Sequence, residues 1–242
     1  MNTSSDLLSQ DIKDYIAAFT GQYGYPISVK PKSTSALMRF IGWFFSVTKI
    51  SPRFMDHYIT TIGNTVYIPD DMLSNPNNAA SLLRVIVHES IHIKDSNRLL
   101  FFGLLFKFLY LFPQSLTPLA LLSFLAFWKI GFLWCLLFLV CAAPIPAPFR
   151  YLFELRAYRT QVLFSRKEDG LTTDTLVPVC QWIESQMTTS LYYWTWPFPK
   201  AIRPQLLSET WLTEPEYKFI TRWIVVRNIG KQMAAVSRKL IT

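Results

Sequence analysis

Histidine, cysteine and glycine are scarce in this 242-residue chain, which has three, three and eight of them. Cys135, Cys141 and Cys180 show no paired spacing. They give no disulfide framework and no cysteine zinc finger, and the odd count fits a reducing compartment. No glycine-rich phosphate loop is present, and no Gly-x-Ser-x-Gly elbow, which counts against a serine-type lipid hydrolase. Charge is sparse too: 17% of residues are charged, against 51% hydrophobic and 16% aromatic. Such a chain has too little polar surface to cover itself in water, so part of its apolar surface is expected to meet lipid. The start of the chain is polar and acidic (Ser5, Asp6, Asp11, Asp14) rather than charged-then-apolar, so nothing is expected to be cleaved for export.

The net charge of +8 raises nucleic acid as a partner, but its placement argues against that reading. Six basic and no acidic side chains lie from Lys218 to the end, and Arg150, Arg156 and Arg159 follow the most apolar stretch. Basic residues flanking apolar segments are what membrane orientation produces. No nucleic-acid partner is expected.

Two of the three histidines fall in the run His88-Glu89-Ser90-Ile91-His92. On a helix, positions four apart project from one face one turn apart, so both imidazoles can share a metal. Glu89 can then reach a water held there, the arrangement with which zinc hydrolases activate water. Chance places such a run in roughly one shuffled sequence per thousand. The bland reading is two surface histidines beside an acid.

The elements around the motif follow from periodicity and punctuation. Residues 5–19 read as an amphipathic helix ended by Gly21, Gly24 and Pro26, and residues 36–47 as a buried or interfacial helix too short to span. Residues 60–69 read as a short hairpin or strand, with Gly63-Asn64 as its turn. Asp70-Asp71 and the cluster Asn75–Asn78 break the chain and offer caps for a long helix from about residue 78, with the motif in its middle. A free strand edge beside a motif helix suits an extended peptide substrate. Further helices are expected over 150–166, 173–187 and 215–240. The aromatic run 192–198 reads as an interfacial belt or, second, a substrate-lining wall, and the basic last helix as a surface resting on anionic lipid.

Between the motif and residue 150 lies the membrane candidate. Leu99–Phe112 is apolar except for Lys107; its 14 residues cover about 21 Å as a helix, less than the roughly 30 Å of a bilayer core. Leu119–Ala143, interrupted only by Lys129, is long enough to cross. A helical hairpin is expected, with Lys94, Arg98 and Arg150 on its cytoplasmic side. The two lysines weigh against full crossing, and a hairpin that dips in without crossing is the other reading.

Two histidines do not complete a catalytic zinc site, which takes three protein ligands and one open position. Position 98, where a close third histidine could sit, is Arg98, and His57 is the remaining histidine. Asp95 lies three residues past His92 and is read as a hydrogen-bond acceptor behind the ligands, or as a partner at the start of the hairpin, rather than a ligand. Glu154 is the better candidate, on a separate helix with small Ala157 nearby to permit close approach. The bland reading of Glu154 is a carboxylate paired with Arg150 and Arg156.

The order His-Glu-Ser-Ile-His, two apolar segments, then Glu154-Leu155-Arg156-Ala157-Tyr158 resembles the gluzincin metallopeptidases. It is nearest to their integral-membrane branch of HtpX-like and CAAX-prenyl endopeptidases, and the resemblance covers about residues 60–160. It implies that His88, His92 and Glu154 bind one Zn2+ per chain and that Glu89 is the general base. Where the family carries an Asp that orients a histidine ligand, this chain has Tyr158; either its hydroxyl or Asp95 takes that part. The family's clear pair of N-terminal spans is absent. An oxyanion donor is expected from His57, Tyr158, Tyr192 or Tyr193.

The resulting expectation is a mostly α (α+β) protein, with a zincin-like core, a small β-sheet and an inserted membrane hairpin. Residues 1–98 carry the motif, 99–149 form the hairpin and 150–242 return the third ligand. The activity expected is that of a zinc endopeptidase in the cell (inner) membrane. Its site would face the cytoplasm, its partners being a protein or peptide substrate and the bilayer. The alternative is an inactive membrane protein that uses the same fold to bind a partner.

Overall fold

The structure, a computed structural model, describes residues 8–49, 53–97, 100–112, 114–128, 130–142, 146–189, 198–208 and 215–241. Helix α1 (Gln10–Tyr23) buries Ile12, Tyr15 and Phe19, spaced at three and four residues. It runs through Gly21 and stops at Gly24, whose φ of 76° forms a left-handed cap with its N–H on the Thr20 carbonyl. Strand β1 (Ser28–Pro31) and helix α2 (Ala36–Val47) follow. The Ser35 side chain caps α2 by accepting from the Met38 N–H. A Cβ at Gly42 would lie 2.7 Å from Met55 Cγ, so α2 lies against the short helix α3 (Phe54–His57) at that point.

Strands β2 (Thr60–Ile62) and β3 (Thr65–Ile68) form the expected hairpin. Gly63 at its first turn position has φ 59°, as a type II′ turn requires. The sheet order is β1-β3-β2, with β1 parallel and β2 antiparallel to β3. Strand β1 is absent from the sequence expectations. β2 is an edge strand with no further strand beside it among the described residues.

After short α4 (Asp70–Ser74), the Asn75 side chain accepts from the Asn77 N–H, and α5 (Ala79–Ser96) carries the motif in its middle. Helix α6 (Leu100–Leu111) comes next. Here the structure corrects the expectation of one 25-residue helix over Leu119–Ala143. The chain forms two 3-10 helical segments, Gln114–Phe127 and Ile130–Ala142, packed on each other. Among the described residues, no helix is long and apolar enough to cross a membrane. A segment apolar on every side has no preferred face, so doubling back on itself also covers apolar surface.

Helix α7 (Pro148–Glu168) packs closely on α5, with Ala157 fully buried. Helices α8 (Thr173–Thr188), α9 (Ile202–Leu207) and α10 (Pro215–Ile241) complete a mostly helical fold with one small sheet. One core joins α1, the sheet, α5, the end of α7 and α10, through Phe19, Val66, Ile86, Phe164 and Trp223 among others. Segments from both sides of the 99–149 stretch therefore share that core. A second cluster joins α7, α8 and α9 around Tyr158, Ile183 and Leu206.

Candidate metal centre

Helix α5 is set in rotation by Ser90, whose buried hydroxyl meets that of Tyr15 at 2.8 Å and donates to the Val87 carbonyl. With Ser90 turned towards α1, His88 and His92 face α7. Their Nε2 atoms lie 3.2 Å apart. Glu154 Oε2 comes from α7 to 3.3 Å from His88 Nε2 and 3.6 Å from His92 Nε2. All three residues are buried, Glu154 at 1% exposure.

These distances test the fit of a metal. Two ligands at about 2.0–2.1 Å on a tetrahedral zinc are about 3.3 Å apart. The edges observed here, 3.2, 3.3 and 3.6 Å, are of that size. Glu154 Oε2 is buried and has no hydrogen-bond partner among the described residues, as expected of an atom aimed at a cation. The donor set, two imidazole nitrogens and one carboxylate oxygen, is one that zinc takes in hydrolases. The residues fit.

The charges are mutually dependent. Burial alone would raise the Glu154 pKa, but the charge of His92 and the close approach of both imidazoles hold it well below the usual carboxylate range. Burial alone would lower the His92 pKa, but Glu154, with Glu89 and Asp95 adding to it, raises it. A buried acid facing two imidazoles thus recruits positive charge, as a proton or a metal.

Glu89 points to a cavity of about 740 Å³ in front of the cluster, and its Oε2 accepts from Thr61 Oγ1 at 2.7 Å. The cavity is bounded by β2 through Thr60, Thr61 and Ile62, by Ile41 and Phe45 of α2, and by Phe106 and Tyr110 of α6. Its size is that of a ligand cleft. Lys107, a puzzle in an apolar segment, lines it as well, and so does Arg150.

The other expected residues are placed as follows. Tyr158 sets its ring edge-on to His88, with centroids 4.4 Å apart, and is buried. Asp95 accepts from Arg156 at 2.7 Å and so braces the helix that carries Glu154. His57 is exposed, 3.3 Å from the Arg53 guanidinium, and does not line the cavity. Tyr192 and Tyr193 lie outside the described residues. Sequence reasoning missed Tyr110, whose hydroxyl donates to Glu154 Oε1 and whose ring stands edge-on to His92 at 5.5 Å. The available signal was its spacing of three from Lys107, which puts both on one face of an otherwise apolar helix. Searches of protein-family models, curated proteins and solved structures find no match to this chain.

Proposed function

We propose that this protein is a zinc-dependent endopeptidase of gluzincin type, associated with a membrane and with its site on the cytoplasmic side. The observation that carries the reading is the convergence of His88 Nε2, His92 Nε2 and Glu154 Oε2 at 3.2–3.6 Å, with Glu89 beside them in the cavity. A zinc ion held there would lower the pKa of a water towards neutrality and polarise a scissile carbonyl.

The rest falls to the chain's own groups. The free edge of β2 offers backbone N–H and C=O groups to an extended peptide, laying it along the cavity. The Glu89 carboxylate takes the proton of the attacking water and passes it to the leaving amine. Thr61 sits on that same strand and holds Glu89 Oε2, so the base is oriented by the element that binds substrate. The apolar side chains of α2 and α6 exclude bulk water.

Membrane association is supported by apolar side chains outside the core. On α2, Leu37, Phe40, Trp43, Phe44 and Val47 are 45–63% exposed, and on α6, Leu104, Phe108 and Leu111 are 58–61% exposed. Both helices border the cavity.

The test is Glu89→Gln. The variant is expected to keep one zinc per chain while losing hydrolysis of an unfolded fluorogenic peptide by at least about 100-fold. A Glu89→Gln protein as active as the wild type would contradict the proposal.

A second reading, an inactive relative that binds a partner, is favoured by one observation. The buried Nδ1 atoms of His88 and His92 have no hydrogen-bond partner among the described residues, whereas metal-bound histidines are ordinarily oriented through that nitrogen. Zinc-loaded wild type with no hydrolysis above that of Glu89→Gln, across a peptide library, would select it.

A further inference from the structure

Tyr110 is not among the residues a zinc hydrolase motif requires, yet its hydroxyl donates to Glu154 Oε1. The other oxygen, Oε2, is the one that faces His88 and His92. The Tyr110 ring is held on several sides. It stands edge-on to His92, lies 5.5 Å from the Phe106 ring, and carries the Arg150 guanidinium 5.1 Å from its centroid. A carboxylate can give a metal one oxygen or two, and an oxygen engaged by a phenol is the poorer donor.

Resting on the metal reading above, we infer that Tyr110 is a positioning residue that restricts Glu154 to ligation through Oε2 alone. One carboxylate oxygen and two imidazoles make three ligands and leave a fourth position for water, the open position catalysis needs. With Oε1 released, Glu154 could bind through both oxygens, which beside the water makes five ligands and crowds that position. The hydroxyl that prevents this comes from α6, the first helix of the apolar 99–149 stretch, so that stretch completes the site.

The experiment uses the full chain in detergent, loaded with Co2+, whose visible absorption is stronger at four-coordinate than at five-coordinate centres. Wild type is expected to bind one cobalt with strong absorption. Tyr110→Phe is expected to bind one cobalt with absorption at least about two-fold weaker and shifted bands. An unchanged spectrum in Tyr110→Phe would overturn the inference while leaving the metal reading intact. A wild type that takes up no cobalt and no zinc would overturn both.

A measurement on the wild type alone keeps the inference testable if the variant does not fold. The infrared difference between zinc-loaded and metal-free protein, with Glu154→Ala identifying the bands, should show the wide carboxylate splitting of one-oxygen ligation. The narrow splitting of two-oxygen ligation would overturn it.

Discussion

At the scale of single residues, the site is a problem of charge. A carboxylate at 1% exposure loses most of its hydration, and what compensates Glu154 is two imidazoles and a phenol. His88, Glu89 and His92 were legible because a five-residue helical spacing dictates its own geometry. Glu154 was legible only as a candidate. Its choice over Asp95 rests on contact between α5 and α7, which no local pattern encodes. The structure gives Asp95 to Arg156, two residues beyond Glu154, so the two acids take different parts through one helix. Tyr110 and Thr61 were not read from sequence, because each reaches the site across a tertiary contact: Tyr110 donates to Glu154 and Thr61 to Glu89.

At the scale of elements, α5, α7 and α10 are tied by a buried charge cluster. Lys94 Nζ lies 2.5 Å from Glu216 Oε1, and Arg156 bridges Glu216 and Asp95. Lys94 also stands 4.3 Å over the Tyr23 ring of α1. Burial alone would raise the Glu216 pKa, but the hydrogen bond from Lys94 and the charge of Arg156 hold it below 4.5. A carboxylate with a depressed folded pKa adds stability that is complete above its unfolded value and is lost as pH falls through the folded one. Glu216→Gln is therefore expected to lose roughly 3 kcal/mol at pH 7, because buried Lys94 and half-buried Arg156 are left with less compensation. Below pH 4.5 the wild type should approach the variant. Urea unfolding at a series of pH values checks this, and two parallel stability curves would contradict it.

The elements also show what periodicity can and cannot carry. α2, α5, α7, α8 and α10 match the expected helices; the side chains of Ser35 and Thr172 cap α2 and α8, whereas α5 and α7 begin without a side-chain cap. β1 escaped because Ser28-Val29-Lys30-Pro31 is short and carries little β-propensity; its pairing with β3 comes from packing. The 119–143 stretch misled for the opposite reason. Uniform apolarity sets no register, so length alone suggested one helix where two segments form.

At the scale of the whole molecule, the exposed apolar faces of α2 and α6 flank the cavity and are expected to enter a lipid surface. Trp43→Ser with Phe44→Ser should weaken sedimentation with phosphatidylcholine–phosphatidylglycerol vesicles at least about tenfold. Unchanged vesicle binding would contradict that orientation. The central claim is the metal centre itself. Its most direct measurement is metal content in the purified chain after equilibration with zinc, wild type beside Glu154→Ala with folding checked by circular dichroism. The account predicts one zinc per wild-type chain and a dissociation constant raised at least about tenfold in Glu154→Ala. Equal zinc affinity in the two, or no zinc in the folded wild type, would contradict it.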